Sequence, residues 1–473
     1  MDSIIKIGFW EKAFKSLRLA LAKVGLAEDE WGYSGFHEDL TKGDTKELVK
    51  QIQNCLEMRG GEVSARARAT NLGHIYLTLS SLGRKTFLKI LATEFRIDSD
   101  VIQEKLDGLT KVNDNVSREM WESSLREALI PPRVKLLRQF NELPDGVKFL
   151  VDMRGDLLDW SRDDVELGFL EQDLKSLLFS WFDIGFLELE QITWSAPASL
   201  LEKLIDYEAV HEIKGWSDIK SRLAPNRRCF AFFHPKMPDE PLIFVWVALV
   251  NGMATNIQQL LSGSSSRESS DEVYDTAIFY SISNAQKGLT GINFGNFLIK
   301  RVVDKLTHEF SGLKNFSTLS PMPGFLDWLR GRDKDMLQLL ESTQIETIKT
   351  LGSDEDIGKK FVSYLTNENL FVESKVYEKL RPILIRLSYH YILNAKRPSG
   401  TALDSVAHFH LNNGARVEQI NWGADISEKG VRQSAGLMVN YRYVLEEIES
   451  NHEIYQSGMD INVSSKVKNI LGN

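Results

Sequence analysis

The sequence predicts an α+β protein in two parts, an all-α domain over residues 1–182 and a mixed α/β domain over residues 183–473. Three observations carry that prediction. Apolar residues recur at three- and four-residue spacing through the first part, punctuated by Asp, Asn and Pro. Past Asp183-Ile184-Gly185, short runs rich in β-branched and aromatic residues take over. Within this second part, a run at Ala277–Ile282 enters a loop holding Gly288, Gly291 and Gly295 and then a helical pattern, a strand–loop–helix unit.

Helical spacing in the first part covers Lys46–Met58 and stops at Gly60-Gly61. It resumes over Val63–Leu82, with Ser64 as a cap. Further helices are expected at Leu88–Phe95, Val101–Leu109, Ser117–Leu129, Val134–Phe140, Val147–Trp160 and Val165–Trp181. No fixed repeat period links them, which favours an irregular bundle over a solenoid. The first residues, through Gly25, alternate apolar positions with Lys6, Glu11, Lys12, Lys15 and Arg18; that is an amphipathic helix rather than the unbroken apolar centre of a signal peptide.

In the second part, strands are expected at Phe186–Trp194, Arg228–Phe233, Leu242–Val250, Ala277–Ile282 and Phe316–Leu319. The run LIFVWVALV at 242–250 is apolar on both faces, as a strand inside a covered sheet should be. Helices are expected at Leu200–Tyr207, Phe297–Phe310, Val376–Leu393 and Gly436–Ser450. Ser262–Ser270 is a polar loop and Leu351–Lys359 a charged connector.

Composition excludes several classes. With 42% hydrophobic and 26% charged residues in 473, the chain is an ordinary globular protein. A net charge of -9 argues against a nucleic-acid partner but allows a local anion site. Two cysteines, Cys55 and Cys229, lie far apart and predict neither a disulfide framework nor a zinc site; no histidine pair has metal-ligand spacing. The longest apolar run is too short for a membrane span. The expectation is therefore a cytoplasmic protein without a metal or a membrane partner.

Three stretches could carry chemistry. The glycines after the strand can present backbone N–H groups to a phosphate, with the helix opening at Asn296 adding its dipole and Lys300 and Arg301 adding charge. The loop matches neither a P-loop nor GxGxxG, and a plain turn would look the same. Ser320, followed by Pro321, should sit at the carboxyl end of its strand, where sites of α/β sheets gather. In His408-Phe409-His410, read as extended, both histidines face one way before Asn412-Asn413-Gly414 turns the chain; one histidine in proton transfer is the functional reading. Arg416 and Asn440-Tyr441-Arg442-Tyr443 add donors nearby, the tyrosines being read as a pair on a helix.

Taken together, FYSISNAQKGLTGINFGNFLIKRV, FSTLSPMPGF, HFHLNNGA, INWGAD and GLMVNYRYVLEEIE resemble the malonyl-CoA decarboxylase family, and GGEVSARARA (Gly60–Ala69) resembles that family's helical domain. The resemblance implies a helical oligomerisation domain, in a dimer or tetramer, followed by a catalytic domain of the GNAT acyltransferase type. It implies that Thr290, Gly291, Ile292, Asn293, Phe294, Gly295 and Asn296 cradle the coenzyme A pyrophosphate. It carries the catalytic serine onto Ser320, the catalytic histidine onto His410 and a further active-site tyrosine onto Tyr443. Animal members have an acidic residue where Asn293 stands, so Asn293 receives no role beyond lining the loop. The chain lacks the peroxisomal tripeptide of those members, which fits a bacterial or cytosolic enzyme.

The implied reaction converts malonyl-CoA to acetyl-CoA and CO2 through a thioester enolate. The thioester is its own electron sink, so no cofactor is expected. Two other readings use the same loop: an acyltransferase moving an acyl group from CoA, and a non-catalytic malonyl-CoA sensor.

Overall fold

The computed structural model describes residues 35–262, 274–292, 298–332, 335–350, 357–365, 374–458 and 460–471. The N-terminal amphipathic stretch, nearly all of the 262–270 loop, residues Asn293 to Asn296 and the first residues of the 351–359 connector lie outside these. The described residues form two compact units. One holds the chain up to Leu187 together with His234–Glu240 and the loop that starts at Gln286; the other holds Glu188–Phe233, Pro241–Ala285 and the C-terminal remainder.

The first unit is helical: α1 (Lys42–Leu56), α2 (Glu62–Thr78), α3 (Ser81–Glu94), α4 (Ser99–Thr110), α5 (Asn115–Ala128), α6 (Pro132–Asn141), α7 (Gly146–Trp160) and α8 (Val165–Trp181). Asp and Ser caps set several starts. Asp98, Asp114 and Asp164 each accept backbone N–H bonds from the turn they open. The expected helix Val63–Leu82 is in fact two, because Ser80 adopts an extended backbone and accepts the Gly83 N–H, which starts α3. Tyr76, Phe87, Phe140 and Phe149 form the aromatic core, with ring centroids 5.3–5.7 Å apart in edge-on pairs.

In the second unit, eight described strands make one mixed sheet: β1 (Glu188–Ile192), β2 (Arg227–Phe233), β3 (Ile243–Val250), β4 (Thr276–Asn284), β5 (Asn315–Thr318), β6 (Ser320–Pro321), β7 (Arg416–Asn421) and β8 (Met438–Tyr443). The order is β1-β2-β3-β4-β5-β8-β6, with β7 also on β8. Only β4 and β5 pair in parallel. The connection between them includes a helix, as a parallel crossover requires. β3 is buried at all but its last residue, as its two-sided apolar sequence requires. A bulge leaves Tyr280 as the extra residue opposite Trp246 and Val247, and its ring joins the core with Cys229, Phe244 and Trp246.

The helices of this unit are α9 (Ala198–Tyr207), α10 (Trp216–Arg222), α11 (Ile257–Leu261), α12 (Leu298–Glu309), α13 (Phe325–Arg330), α14 (Ser342–Lys349), α15 (Ile357–Leu365), α16 (Ser374–Asn394), α17 (Ser405–Asn412), α18 (Glu428–Ser434), α19 (Ile448–Gln456) and α20 (Ser465–Leu471). The end of the expected 351–359 connector is thus already helical, in α15. Cys55 and Cys229 are buried free thiols.

Two further expectations are corrected, and both concern the site. His408-Phe409-His410 is helical, in α17, because Asp404 caps the segment by accepting the Val406 and Ala407 N–H groups at 2.9 Å. The segment MVNYRY is not helical but forms β8, a strand flanked by β5 and β6 on one side and β7 on the other. Its helical reading fails because nearly every position is buried, a pattern that a central strand and a buried helix share.

Candidate active site

The site is assembled from β5, β6, β8 and α17. Past Thr318 the chain turns at Leu319 and forms β6, whose Ser320 pairs with Val439 of β8. His410 follows the Asp404 cap by six residues of α17, and the helix closes at Asn413 before Gly414, where φ is +79°. β8 brings Tyr441 and Tyr443 alongside. The result is a continuous relay: Ser320 Oγ lies 3.0 Å from His410 Nε2, and His410 Nδ1 lies 2.8 Å from Tyr443 Oη. Ser320 Oγ also donates to Thr318 Oγ1 at 2.9 Å, and that oxygen accepts the Tyr441 N–H at 3.1 Å.

Protonation follows from the partners. Burial raises the Tyr443 pKa, so its phenol keeps its proton and donates it to His410 Nδ1. Nε2 then carries the imidazole proton and points it at Ser320 Oγ, whose own proton goes to Thr318. Complete burial pushes the His410 pKa down to about 3. The imidazole is therefore neutral, stacked on the Tyr441 ring at 4.8 Å and 25°. A chain of neutral donors in a buried setting is built to give a proton rather than to pull one from serine.

Ser320 and His410 open on a cleft of about 700 Å³, solvent mouth included, lined also by Val210, Phe279, Ser281, Asn284 and Phe409. Ser281 Oγ donates to Glu208 Oε1 at 2.7 Å beneath this wall. Among the described residues no group of three or more His, Cys, Asp or Glu side chains is arranged to hold a metal ion, and no helix is long and apolar enough to cross a membrane.

The residues singled out in the sequence divide into several groups. Ser320, His410 and Tyr443 come together. His408 does not: two positions along a helix it points elsewhere and meets Tyr455 Oη at 2.8 Å. Thr290, Gly291 and Ile292 are described in the loop after β4, whereas Asn293, Phe294, Gly295 and Asn296 are outside the described residues. Lys300 reaches Glu449 at 3.1 Å, and Arg301 lies 5.5 Å over the Phe232 ring. Arg416 pairs with Glu418 at 3.0 Å, Arg442 donates to Asn315 at 2.7 Å and Asn440 donates to the Thr318 carbonyl at 2.5 Å, bracing the strands. Sequence reading missed Thr318, Ser281 and Asp404; of these only Asp404, a cap residue directly before an apolar turn, carried a local signal.

Burial of a neutral histidine has a measurable consequence. The folded pKa of His410 is depressed to about 3, far below the unfolded value of about 6.5. Between those values the unfolded chain binds a proton that the folded chain does not, so this group makes stability rise with pH and fall as pH drops below about 6.5. His211, pushed down to about 4 by burial, acts in the same direction. The expected result is a thermal midpoint that declines from pH 7 to pH 5. His410→Gln should flatten that decline; an unchanged slope would show that His410 titrates normally.

A buried relay of neutral donors that opens on a cleft can move a proton to a bound molecule, the chemistry of an acid–base enzyme. The family profile "Malonyl-CoA decarboxylase C-terminal domain" matches residues 185–473 and "Malonyl-CoA decarboxylase N-terminal domain" matches residues 95–182. The curated mitochondrial malonyl-CoA decarboxylase of Anser anser anser is 39% identical over 419 residues, covering 85% of this chain and 83% of the relative. That of Mus musculus is 36% identical over 436 residues, covering 89% and 85%. The crystal structure of malonyl-CoA decarboxylase from Rhodopseudomonas palustris superposes with a TM-score of 0.81 at 39% identity, covering 90% of this chain and 99% of that one. The structure of the Agrobacterium vitis protein gives 0.80 at 37% identity, covering 90% and 100%. The chain belongs to the malonyl-CoA decarboxylase family.

Proposed function

We propose that the protein converts malonyl-CoA to acetyl-CoA and CO2, with Ser320 and His410 holding the substrate carboxylate and delivering the proton. The observation that supports this reading is the 3.0 Å contact between Ser320 Oγ and a buried, neutral His410 whose other nitrogen is occupied by Tyr443. In the reaction, the bond between the carboxylate carbon and the α-carbon breaks and CO2 leaves. The electron pair passes into the thioester carbonyl, giving an enolate, and the α-carbon then takes a proton from the relay. His410 Nε2–H, directly or through Ser320, is that donor; as it leaves, Tyr443 passes its phenolic proton to Nδ1, so the imidazole stays neutral, the negative charge ends on the phenolate, and solvent restores the proton afterwards. Because the thioester receives the electrons, the proposal needs no metal, biotin or pyridoxal.

A neutral relay suits this chemistry better than serine acylation. A nucleophilic serine would need an imidazole with an unprotonated Nε2, whereas Tyr443 occupies Nδ1 as a donor and leaves the proton on Nε2. The test is to incubate the purified protein with malonyl-CoA and no acceptor. Acetyl-CoA and CO2 are expected in equal amounts, and Ser320→Ala should reduce the rate by about 10²-fold or more. No CO2 from the wild-type protein would sink the activity. A full rate in Ser320→Ala would sink the residue assignment alone.

We also read the helical unit as the element that makes a homo-oligomer. Val165 and Phe169, one turn apart on α8, are 72% and 55% exposed, and Phe179 further along the helix is 60% exposed. Light scattering on the eluted protein tests this, with a dimer or tetramer expected and a monomer contradicting it.

A further inference from the structure

Ser320 follows a break in the sheet, and one buried hydroxyl fills that break. Phe316 faces Tyr443 and Ser317 faces Arg442 across β5 and β8, and further on Ser320 of β6 faces Val439 in the same register. Thr318 therefore stands opposite Tyr441, yet the ladder has no pair at that step. The Leu319 N–H has turned to the Phe279 carbonyl of β4 at 3.1 Å, and the Thr318 carbonyl accepts the Asn440 side-chain amide at 2.5 Å. The Tyr441 N–H donates to Thr318 Oγ1 at 3.1 Å instead of to a ladder carbonyl.

An N–H can only donate, so one lone pair of Thr318 Oγ1 is committed to accepting. The other accepts the Ser320 hydroxyl at 2.9 Å. Residues two apart in extended chain share a face, which is how a threonine at this position reaches the serine. The threonine is fully buried and its β-branch restricts χ1, so the oxygen stays where the serine needs it. Thr318 is not among the residues that line the cleft.

Ser320 Oγ carries a single hydrogen. While Thr318 holds it, the bond between Ser320 and His410 runs from Nε2 to the serine oxygen. Released, that hydrogen goes to Nε2, the imidazole proton moves to Nδ1, and Tyr443 Oη becomes its acceptor. The chain then runs the other way, with His410 a base toward Ser320 and no proton to give.

We propose that Thr318 is the positioning residue that sets the direction of the relay: by holding the Ser320 hydrogen it keeps the His410 proton on Nε2, where it can be given away. The kinetic consequence rests on the reaction proposed above; the tautomer does not. Thr318 makes and breaks no bond to the substrate, so the protons and electrons of the reaction are unchanged.

Nitrogen-15 NMR of His410 in Thr318→Val, which keeps the branched shape and removes the acceptor, tests this without substrate. The expected result is a protonated Nδ1 in place of the protonated Nε2 of the wild-type protein. Turnover of malonyl-CoA should fall by about 10²-fold, as loss of a positioned acid does, with KM nearly unchanged because Thr318 lies off the cleft. Thr318→Ser, which keeps the oxygen and loses only the methyl, should hold the Nε2 tautomer and most of the rate. A valine variant that keeps its Nε2 proton, whether or not it turns over, would overturn the proposal. So would a serine variant that loses the Nε2 tautomer. If the wild-type protein releases no CO2 while the tautomer still changes in Thr318→Val, the substrate reading fails and the role of Thr318 stands.

Discussion

His410→Ala is expected to slow the decarboxylation of malonyl-CoA by about 10²–10⁴-fold, the range typical of losing a positioned acid or base. The geometry explains why the effect should be large. His410 is the shared member of the relay, touching Ser320 Oγ at 3.0 Å and Tyr443 Oη at 2.8 Å. Removing it deprives the tyrosine of its acceptor and leaves the serine bonded to Thr318 alone. A buried hydroxyl without a partner costs about 1–3 kcal/mol, so the variant should also melt earlier. Replacement by Gln, which can donate through its amide but cannot pass a proton on, separates positioning from proton delivery. Substrate affinity should survive in that variant while turnover does not. A variant that retains both would show that the proton comes from elsewhere.

Gly414→Val is expected to lower the thermal midpoint by about 6–12 °C and to cost most of the activity. Gly414 has φ +79°, a region that strains a β-branched residue, and a Cβ there would lie 2.2 Å from the Ile448 carbonyl oxygen. The two penalties together amount to about 3 kcal/mol or more. The position matters for chemistry because Gly414 ends the turn that closes α17, four residues beyond His410. Backbone displaced there carries the imidazole away from Ser320. A Gly414→Val protein with wild-type melting and turnover would contradict the close packing of this turn against α19.

Much of this arrangement was legible in the sequence, for identifiable reasons. Most helices of the first unit follow from apolar spacing interrupted by Asp, Asn and Pro, and α8 coincides with its expected range, Val165–Trp181. β3 was legible because a strand covered on both faces is apolar at every position. Ser320, His410 and Tyr443 were picked out by family motifs, and the structure brings them within hydrogen-bonding distance of one another in a chain. The backbone carrying two of them was misread. HFH looks like an alternating strand when Asp404 is ignored as a cap, and MVNYRY has too few exposed positions for periodicity to separate strand from helix. Thr318 gave no signal at all. Its partner Tyr441 lies 123 residues away, and a long-range tie to a backbone N–H leaves no trace in local sequence.

The account turns on His410 being neutral, with its proton on Nε2. Nitrogen-15 NMR of histidine-labelled protein, with His410 assigned through its Gln variant, reads this directly. The predicted result is a protonated Nε2 and an unprotonated Nδ1 that do not change between pH 5 and pH 8, as a pKa of about 3 requires. A ring that titrates near pH 6.5, or one protonated on Nδ1, would contradict it.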